Sequence, residues 1–519
     1  MKIKQLGMST MLVLAACTSK AEKKAPNIIF ILADDLGYGD ISVLNTESKI
    51  QTPNIDRIAR NGVTFTDAHS GSAVSTPTRY GILTGRYCWR SPLKSGVLNG
   101  YSKPLISPDR TTMAGMLQQY GYHTACIGKW HLGWDWAHKD GETDSVDFSR
   151  PIANGPVSCG FDYFYGFSGS LDMPPYVYVE NDRPTALPDR VTVGNNIAVG
   201  AAGSDGSYWR TGETGSDFSH EDCLPNLNRR AVSYINEKAN SEQPFFLYYC
   251  LPAPHTPILP VKEFQGKSKL NPYADFVLMV DYMVGEIIQA LEKNGITDNT
   301  LLVFASDNGC SPWADFPFLT EHGHNPSYVY RGTKADLYDG GHRIPCMLQW
   351  PARVKPHVVD QTICLTDFMA SFAELTKYEL KDNEAEDSFS LLPVVFNINH
   401  KEQIREAIVH HSINGSFSIR KGQWKLLLAS GSGGWSSPRP GEETPEAPNI
   451  QLYDMSTDIG EKQNVQDEHP EVVADLKALL TKYIKDGRSA PGAVQSNDGE
   501  YPWKQLDWMG PSTAIQALK

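Results

Sequence analysis

Asn27-Ile28-Ile29-Phe30-Ile31-Leu32-Ala33 holds no charge, and it stops abruptly at two aspartates, Asp34-Asp35. A half-exposed strand alternates apolar and polar residues. An unbroken apolar run instead marks a strand covered on both faces, the signature of a parallel sheet buried between helices. The same texture returns at His123 to Ile127, Phe245 to Cys250 and Thr300 to Ala305. Helical patterns fall at Pro53 to Asn61, Thr112 to Tyr120, Leu227 to Lys238 and Phe276 to Asn294. Strand and helix in alternation predict an α/β fold, a large doubly wound mixed sheet flanked by helices.

Near residue 400 the pattern changes. Ala407 to His411, Ser416 to Arg420 and Trp424 to Leu428 read as short antiparallel strands, followed by a Gly/Ser/Pro/Glu loop, a strand at Gln451 to Asp454 and a helix at Pro470 to Lys485. A chain of 519 residues exceeds what one core usually serves. The expected division is therefore a large domain over 25–400 and a small α+β domain over 401–519. Tyr501, Trp503 and Trp508 would pack the tail onto the body. The stretch Asp172 to Cys223, rich in Gly, Asp, Pro and Tyr, reads as an insertion placed over the site as recognition loops.

The N-terminus carries a basic tip, Met1-Lys2-Ile3-Lys4, then a mostly apolar run from Met8 to Ala16 that is too short to span a bilayer. It ends in Leu14-Ala15-Ala16-Cys17, which resembles a bacterial lipoprotein box. The resemblance implies cleavage before Cys17, acylation of that cysteine and a polar tether, so that 1–24 is signal and tether. It also implies an exported lipoprotein held at a membrane, periplasmic or at the cell surface. The other eight cysteines form no CxxC pattern and lie largely in apolar strands, as small buried hydrophobes do. A net charge of −13 excludes nucleic acid as a partner and excludes a broad basic surface. An anionic substrate must be held by a local cluster of positive groups.

Ser75-Thr76-Pro77-Thr78-Arg79-Tyr80-Gly81-Ile82-Leu83-Thr84-Gly85-Arg86 reads as a loop turning into a helix, with Ser75 at or near its N-cap and Pro77 in the first turn. A side chain placed there faces free backbone donors and the positive end of the helix dipole. Arg79, one turn on, can point back toward it. Asp34-Asp35 and Asp307-Asn308-Gly309 follow predicted strands; three carboxylates and an amide oxygen suit a hard cation, Ca²⁺ or Mg²⁺, rather than zinc.

The Ser75 segment resembles the signature of the type I sulfatases, Cys-or-Ser, x, Pro, x, Arg, four residues, Thr-Gly, at every fixed position. The resemblance extends through Gly128-Lys129-Trp130-His131, Pro254-His255-Thr256-Pro257, Tyr330-Arg331-Gly332-Thr333-Lys334-Ala335-Asp336, Gly340-Gly341-His342-Arg343 and Leu452-Tyr453-Asp454. It implies an alkaline-phosphatase-like fold and a sulfuric ester hydrolase. By resemblance Ser75 is oxidised to formylglycine by a sulfatase-maturating enzyme, and one Ca²⁺ is held by Asp34, Asp35, Asp307, Asn308 and the modified Ser75. Arg79 supplies stabilising charge, Lys129 and Lys334 hold sulfate oxygens, His131 contacts the formylglycine and His255 faces the leaving oxygen. Ser170, Asp172, His342 and Arg343 are expected to touch substrate.

An acidic lipoprotein with long recognition loops points to sulfated glycans such as glycosaminoglycans or mucin. The RGxKAD…GGHR context resembles that of galactosamine-6-sulfatases, which implies exo-removal of a 6-O-sulfate from galactose or N-acetylgalactosamine. Two alternatives stand beside this reading. One is a phosphatase or phosphodiesterase of the same superfamily; the other is a non-catalytic, lipid-anchored protein that binds sulfated glycans.

Overall fold

The computed structural model describes residues 25–142, 145–196, 206–499 and 501–510. Cys17 and the rest of the expected signal and tether lie outside the described residues. A ten-stranded sheet forms the frame, ordered from edge to edge as His357–Val359, Val63–Phe65, Cys346–Gln349, Thr300–Ser306, Asn27–Asp34, Phe245–Pro254, His123–Lys129, Tyr163–Phe167, Val179–Glu180 and Arg183–Pro184. The five strands from Thr300–Ser306 to Tyr163–Phe167 run parallel to their neighbours, and antiparallel pairs flank them on both sides. The sheet is thus mixed, with a parallel centre.

Asn27–Asp34 shows why its sequence is apolar throughout. Successive side chains of a strand face opposite ways. Ile28, Phe30 and Leu32 enter a core with Ile82 and Leu83 of helix Ser75–Thr84, Met116 and Leu117 of helix Met113–Gln119, and Phe368 and Phe372 of helix Asp367–Thr376. Ile29, Ile31 and Ala33 enter another with Ile55 and Ile58 of helix Pro53–Arg60, Leu227 and Ile235 of helix Cys223–Lys238, and Val277 and Val284 of helix Pro272–Lys293. Helix Pro272–Lys293 starts a turn earlier than the apolar period indicates. The Asn271 side chain accepts from the Ala274 N–H at 3.0 Å, and Pro272 follows it where no donor is lost.

The C-terminal part is a four-stranded antiparallel meander, Ile408–His411, Phe417–Lys421, Trp424–Leu427 and Gln451–Asp454, with helix Pro470–Lys485 packed on it through Leu476, Leu480 and Ile484. Tyr87 and Trp89, just past the Ser75–Thr84 helix, belong to the same apolar cluster, as do Trp503 and Leu506 of the tail. Arg405 fixes this junction, donating to Tyr87 Oη at 3.0 Å and pairing with Asp367. The small sheet therefore braces the segment that carries Ser75. All eight described cysteines are free thiols, and seven are buried.

Candidate active site

Five adjacent parallel strands end at one edge, and the chain places a functional side chain at or just beyond each end. Asp34 closes its strand, Asp307 and Asn308 follow Ser306, His255 follows Pro254, Lys129 closes its strand, and Ser170 lies three residues past Phe167. The C-terminal edge of a parallel sheet is where open α/β folds bind ligands.

Ser75 is the first residue of its helix rather than the cap. Val74 occupies the cap position and makes no side-chain capping bond. The Ser75 hydroxyl is thereby free for the site: Oγ donates to Asp34 Oδ1 at 3.2 Å and accepts from Lys129 Nζ at 3.2 Å. Gly85 ends the helix in the left-handed region, φ 64°, its N–H on the Gly81 carbonyl at 2.8 Å. A Cβ there would lie 2.9 Å from Ala385 and Met369. This explains the Thr-Gly that closes the motif.

Arg79 does not turn back to Ser75. Its guanidinium reaches Asp307 Oδ2 at 2.8 Å and the Lys129 carbonyl at 3.2 Å, and lies 3.8 Å from Asp34 Oδ1. Lys129 sits 2.7 Å from Asp34 Oδ2, and Lys334 sits 2.7 Å from Asp35 Oδ1. Burial by itself would push the Asp34 carboxyl up; Lys129, His255 and Arg79 together hold it well below the usual carboxylate range. Burial would likewise lower Lys334, but Asp35 and Asp34 hold its ammonium above the ordinary value.

The four expected cation ligands converge. Asn308 Nδ2 donates to Asp35 Oδ1 at 2.7 Å, and Asp307 Oδ1 accepts from the Asp35 N–H at 3.2 Å. Asn308 Oδ1 is buried without a partner among the described residues, an orphaned oxygen beside three carboxylates. A hard divalent cation would satisfy it, so the donor set fits calcium. The ligand-type atoms of Asp34, Asp35 and His255 lie within 4.8 Å of one another. His255 is nonetheless a nitrogen donor among hard oxygens, and its Nε2 stands 3.6 Å from Asp35 Oδ2.

His131 lies within this group with a left-handed backbone, φ 59°. Its Nε2 is 2.8 Å from the Leu98 carbonyl, so Nε2 carries the proton, and Nδ1 is buried with no partner among the described residues. Burial, then Lys129 and Arg79, press its pKa well below 6.5, so the ring is a neutral acceptor. Ser170 Oγ accepts from Lys129 Nζ at 3.2 Å and lies 3.5 Å from His255 Nδ1.

Of these groups, Ser75, His131, Ser170, His255 and Lys334 line a cavity of about 460 Å³. Asp172 lines it; its Oδ2 pairs with Arg210, while its Oδ1 is buried and has no partner among the described residues. Arg210, Tyr208 and Asn196 come from the stretch between Asp172 and Cys223; besides Val179–Glu180 and Arg183–Pro184 at the edge of the large sheet, its described residues pair Pro188–Thr192 with Gly212–Gly215 and Asn195–Asn196 with Tyr208–Trp209. Trp313 and Trp435 complete the wall. Sequence reasoning did not find these last two; the only signal was an aromatic residue inside a Gly/Ser/Pro-rich loop.

His342 and Arg343 are not brought to the cavity. His342 is fully buried, its Nδ1 3.0 Å from His69 Nδ1 and its ring stacked 3.6 Å from that of His410. Arg343 pairs with Asp67 at 3.0 Å and lies over the Tyr330 ring. The two glycines before them explain the placement. The Gly309 N–H donates to the Gly341 carbonyl at 2.9 Å, and a Cβ on Gly309 would fall 1.9 Å from the Gly340 carbonyl oxygen. This turn supports Asp307-Asn308 with its backbone and sends its side chains toward the C-terminal sheet. His69, His342 and His410 could be taken for a second metal centre. However, His69 Nε2 is already paired with Asp67 at 2.8 Å, His342 Nε2 lies 3.0 Å from the Leu337 carbonyl and the two Nδ1 atoms face each other at 3.0 Å, so hydrogen bonds already account for both rings.

A model of the sulfatase family matches residues 26–378. An N-acetylgalactosamine-6-O-sulfatase of Bacteroides thetaiotaomicron is 36% identical over 506 residues, 90% of this chain and 96% of that protein. Arylsulfatase A of Homo sapiens is 28% identical over 527 residues, 96% of each. A solved structure described with the metabolism of multiple glycosaminoglycans by Bacteroides thetaiotaomicron superposes with a TM-score of 0.76 at 36% identity, covering 88% of this chain and 98% of that one.

Proposed function

The chain belongs to the sulfatase family, and from that premise we propose that it hydrolyses 6-O-sulfate esters of galactose or N-acetylgalactosamine at the ends of sulfated glycans. The observation that carries the reading is the position of Ser75. Its hydroxyl is held between the Asp34 carboxylate and the Lys129 ammonium, on the floor of the cavity. The cavity volume lies at the low end of the range for small-molecule sites, roughly 300–1,000 Å³, which suits a terminal sugar rather than a long chain threaded through. The Bacteroides relative named for N-acetylgalactosamine-6-O-sulfate supports the choice of sugar.

Formylglycine made from Ser75 would supply a hydrated aldehyde, one hydroxyl to attack sulfur and a second to release the sulfate. Calcium at Asp34, Asp35, Asp307 and Asn308 would polarise the sulfate oxygens and favour the ionised nucleophile. The chain's own groups do the rest. Lys129 and Lys334, both buried, bring two ammonium groups against the sulfate, and buried charges act more strongly than solvated ones. Arg79 holds the Asp307 carboxylate in place. His255, beside Ser170 at the cavity wall, is placed to give a proton to the departing sugar oxygen. His131, neutral and with Nδ1 free, is placed to take the proton of the second hydroxyl. A serine hydroxyl without that second hydroxyl would retain the sulfate as an ester.

Export, acylation at Cys17 and anchoring at a membrane complete the proposal, on the support of Leu14-Ala15-Ala16-Cys17. Cys17→Ala is expected to free the protein from the membrane fraction. The central test is chemical. Protein made with a serine-competent maturating enzyme should show the Ser75 peptide two hydrogens lighter, and should release sulfate from galactose-type 6-sulfates. Full turnover by protein whose Ser75 is unmodified would refute the mechanism, and turnover confined to another sulfate position would refute the substrate.

A further inference from the structure

One wall of the cavity comes from outside the large sheet. Trp435 lies in the connection between strands Trp424–Leu427 and Gln451–Asp454 of the C-terminal meander. Its half-buried indole lines the cavity, with Lys334 Nζ 5.8 Å from the ring centroid.

This loop is bolted to the loop of Lys334. The carboxylate of Asp336, fully buried, accepts from the Trp435 N–H at 2.7 Å, from the Ser436 N–H at 3.0 Å and from the Ser436 hydroxyl. On its own side it accepts from the Thr333 N–H at 2.8 Å. Leu337 N–H donates to the Ser432 carbonyl at 2.8 Å, and Lys334 N–H to the Cys310 carbonyl at 2.9 Å. The approach is so close that a Cβ on Gly434 would lie 2.3 Å from the Ala335 carbonyl oxygen. One carboxylate, two residues from Lys334, thus holds the backbone of Trp435. A loop kept only for stability has no reason to hold an indole in the cavity rather than in the core.

We propose that Trp435 is a specificity-determining residue whose indole packs against the C–H face of the sulfated sugar ring, and that Asp336 is the positioning residue that sets this wall relative to Lys334. The inference rests on the sugar-sulfate reading above. A pyranose ring exposes an apolar face where its hydroxyls point away, and an aromatic plane buries it with little loss of side-chain freedom. The contact is made to the sugar and not to the sulfur, so it is the same in the ground and transition states. It should appear in KM and leave kcat alone.

The test uses matured enzyme and whichever sulfated monosaccharide the wild type turns over fastest, with inorganic sulfate as an inhibitor that probes the sulfate pocket alone. Trp435→Ala should raise KM about tenfold with kcat within about threefold and the sulfate Ki unchanged; Trp435→Phe should recover most of the loss. Asp336→Asn, which cannot accept at every position, should raise both KM and the sulfate Ki, because indole and ammonium move together. Ser436→Ala should do the same to a smaller extent, and serves if Asp336→Asn does not fold. An unchanged KM in Trp435→Ala overturns the proposal, as does a sulfate Ki that rises in step with KM. An Asp336→Asn enzyme with altered KM and unaltered sulfate Ki overturns the positioning role. Activity confined to a sugar other than galactose or N-acetylgalactosamine fails the substrate reading alone, while an enzyme that turns over no sulfated sugar fails both.

Discussion

Lys129 Nζ lies 2.7 Å from Asp34 Oδ2 and 3.2 Å from Ser75 Oγ, so one buried ammonium joins the end of a strand to the first turn of a helix. Its removal takes from the buried Asp34 carboxylate its nearest positive partner and leaves Arg79 at 3.8 Å. Lys129→Ala is expected to lower kcat by about a hundredfold to a thousandfold, the scale for deleting one preorganised stabilising group. The fold should also weaken, by roughly 3–5 kcal/mol, as for a buried ion pair cut in half. Sulfate release and urea unfolding of the variant, compared with wild type, measure both. A variant as active and as stable as wild type would show that Asp34 needs no partner.

Asn308 Oδ1 has no partner among the described residues and stands among three carboxylates. Chelation should abolish activity and lower the melting temperature. Calcium should restore both better than zinc, since the donors are hard oxygens and a ligand that binds only the folded state stabilises it. Asp307→Ala should remove the calcium-dependent rise in melting temperature. A demonstrably metal-free sample with unchanged melting temperature and activity would dismiss the cation.

His255 is assigned to the leaving oxygen. A sugar alkoxide is a strong base and needs a proton; nitrophenolate leaves readily without one. His255→Ala should lose on the order of a hundredfold in kcat/KM on a sulfated sugar and much less on nitrophenyl sulfate. Asp307→Ala should hurt both alike. Equal losses for His255→Ala on the two substrates would mean that the ring only positions sulfate.

His220 is nearly buried against the rings of Tyr176, 4.4 Å away, and Trp209, 4.8 Å away, under the stretch that carries Tyr208 and Arg210. Burial, with Arg190 adding to it, outweighs Glu221 and Asp172 and pushes its pKa down to about 4. The unfolded chain, with an ordinary imidazole, binds the proton more readily. Stability from this residue is complete above pH 6.5 and is lost as pH falls toward 4, a change on the order of 3 kcal/mol over the full titration. His220→Phe should flatten the dependence of unfolding free energy on pH in that window. An identical slope in wild type and variant would place the acid sensitivity elsewhere.

Local patterns in the sequence carried the frame and most of the chemistry. The run Asn27 to Ala33 has to be a strand covered on both faces, because Ile28, Phe30 and Leu32 leave it on one side and Ile29, Ile31 and Ala33 on the other. The residues at the strand ends, Asp34, Lys129, His255, Asp307 and Asn308, were legible because each sits within five residues of the end of such a run. A parallel sheet brings all those ends to one edge whatever the order of its strands.

What lay outside that rule was decided by tertiary packing. Arg79 shares a helix with Ser75, yet turns to Asp307, since a fully buried guanidinium must meet carboxylates and the nearest come from another strand. His342 and Arg343 stand next to the glycines that support Asp307-Asn308, yet they face the other way; a turn of four residues points its side chains by backbone geometry that no motif displays. Trp435 and Lys334 are separated by a hundred residues and lie in loops of different parts of the fold, Trp435 in the C-terminal meander and Lys334 ahead of Asp339–His342. Their meeting depends on one buried carboxylate, Asp336, and on a glycine small enough to let two backbones touch. The sequence by itself determined which residues could do the chemistry, because composition and spacing are local. Which of them share a cavity is a property of distances between distant segments, and those exist only once the core has packed.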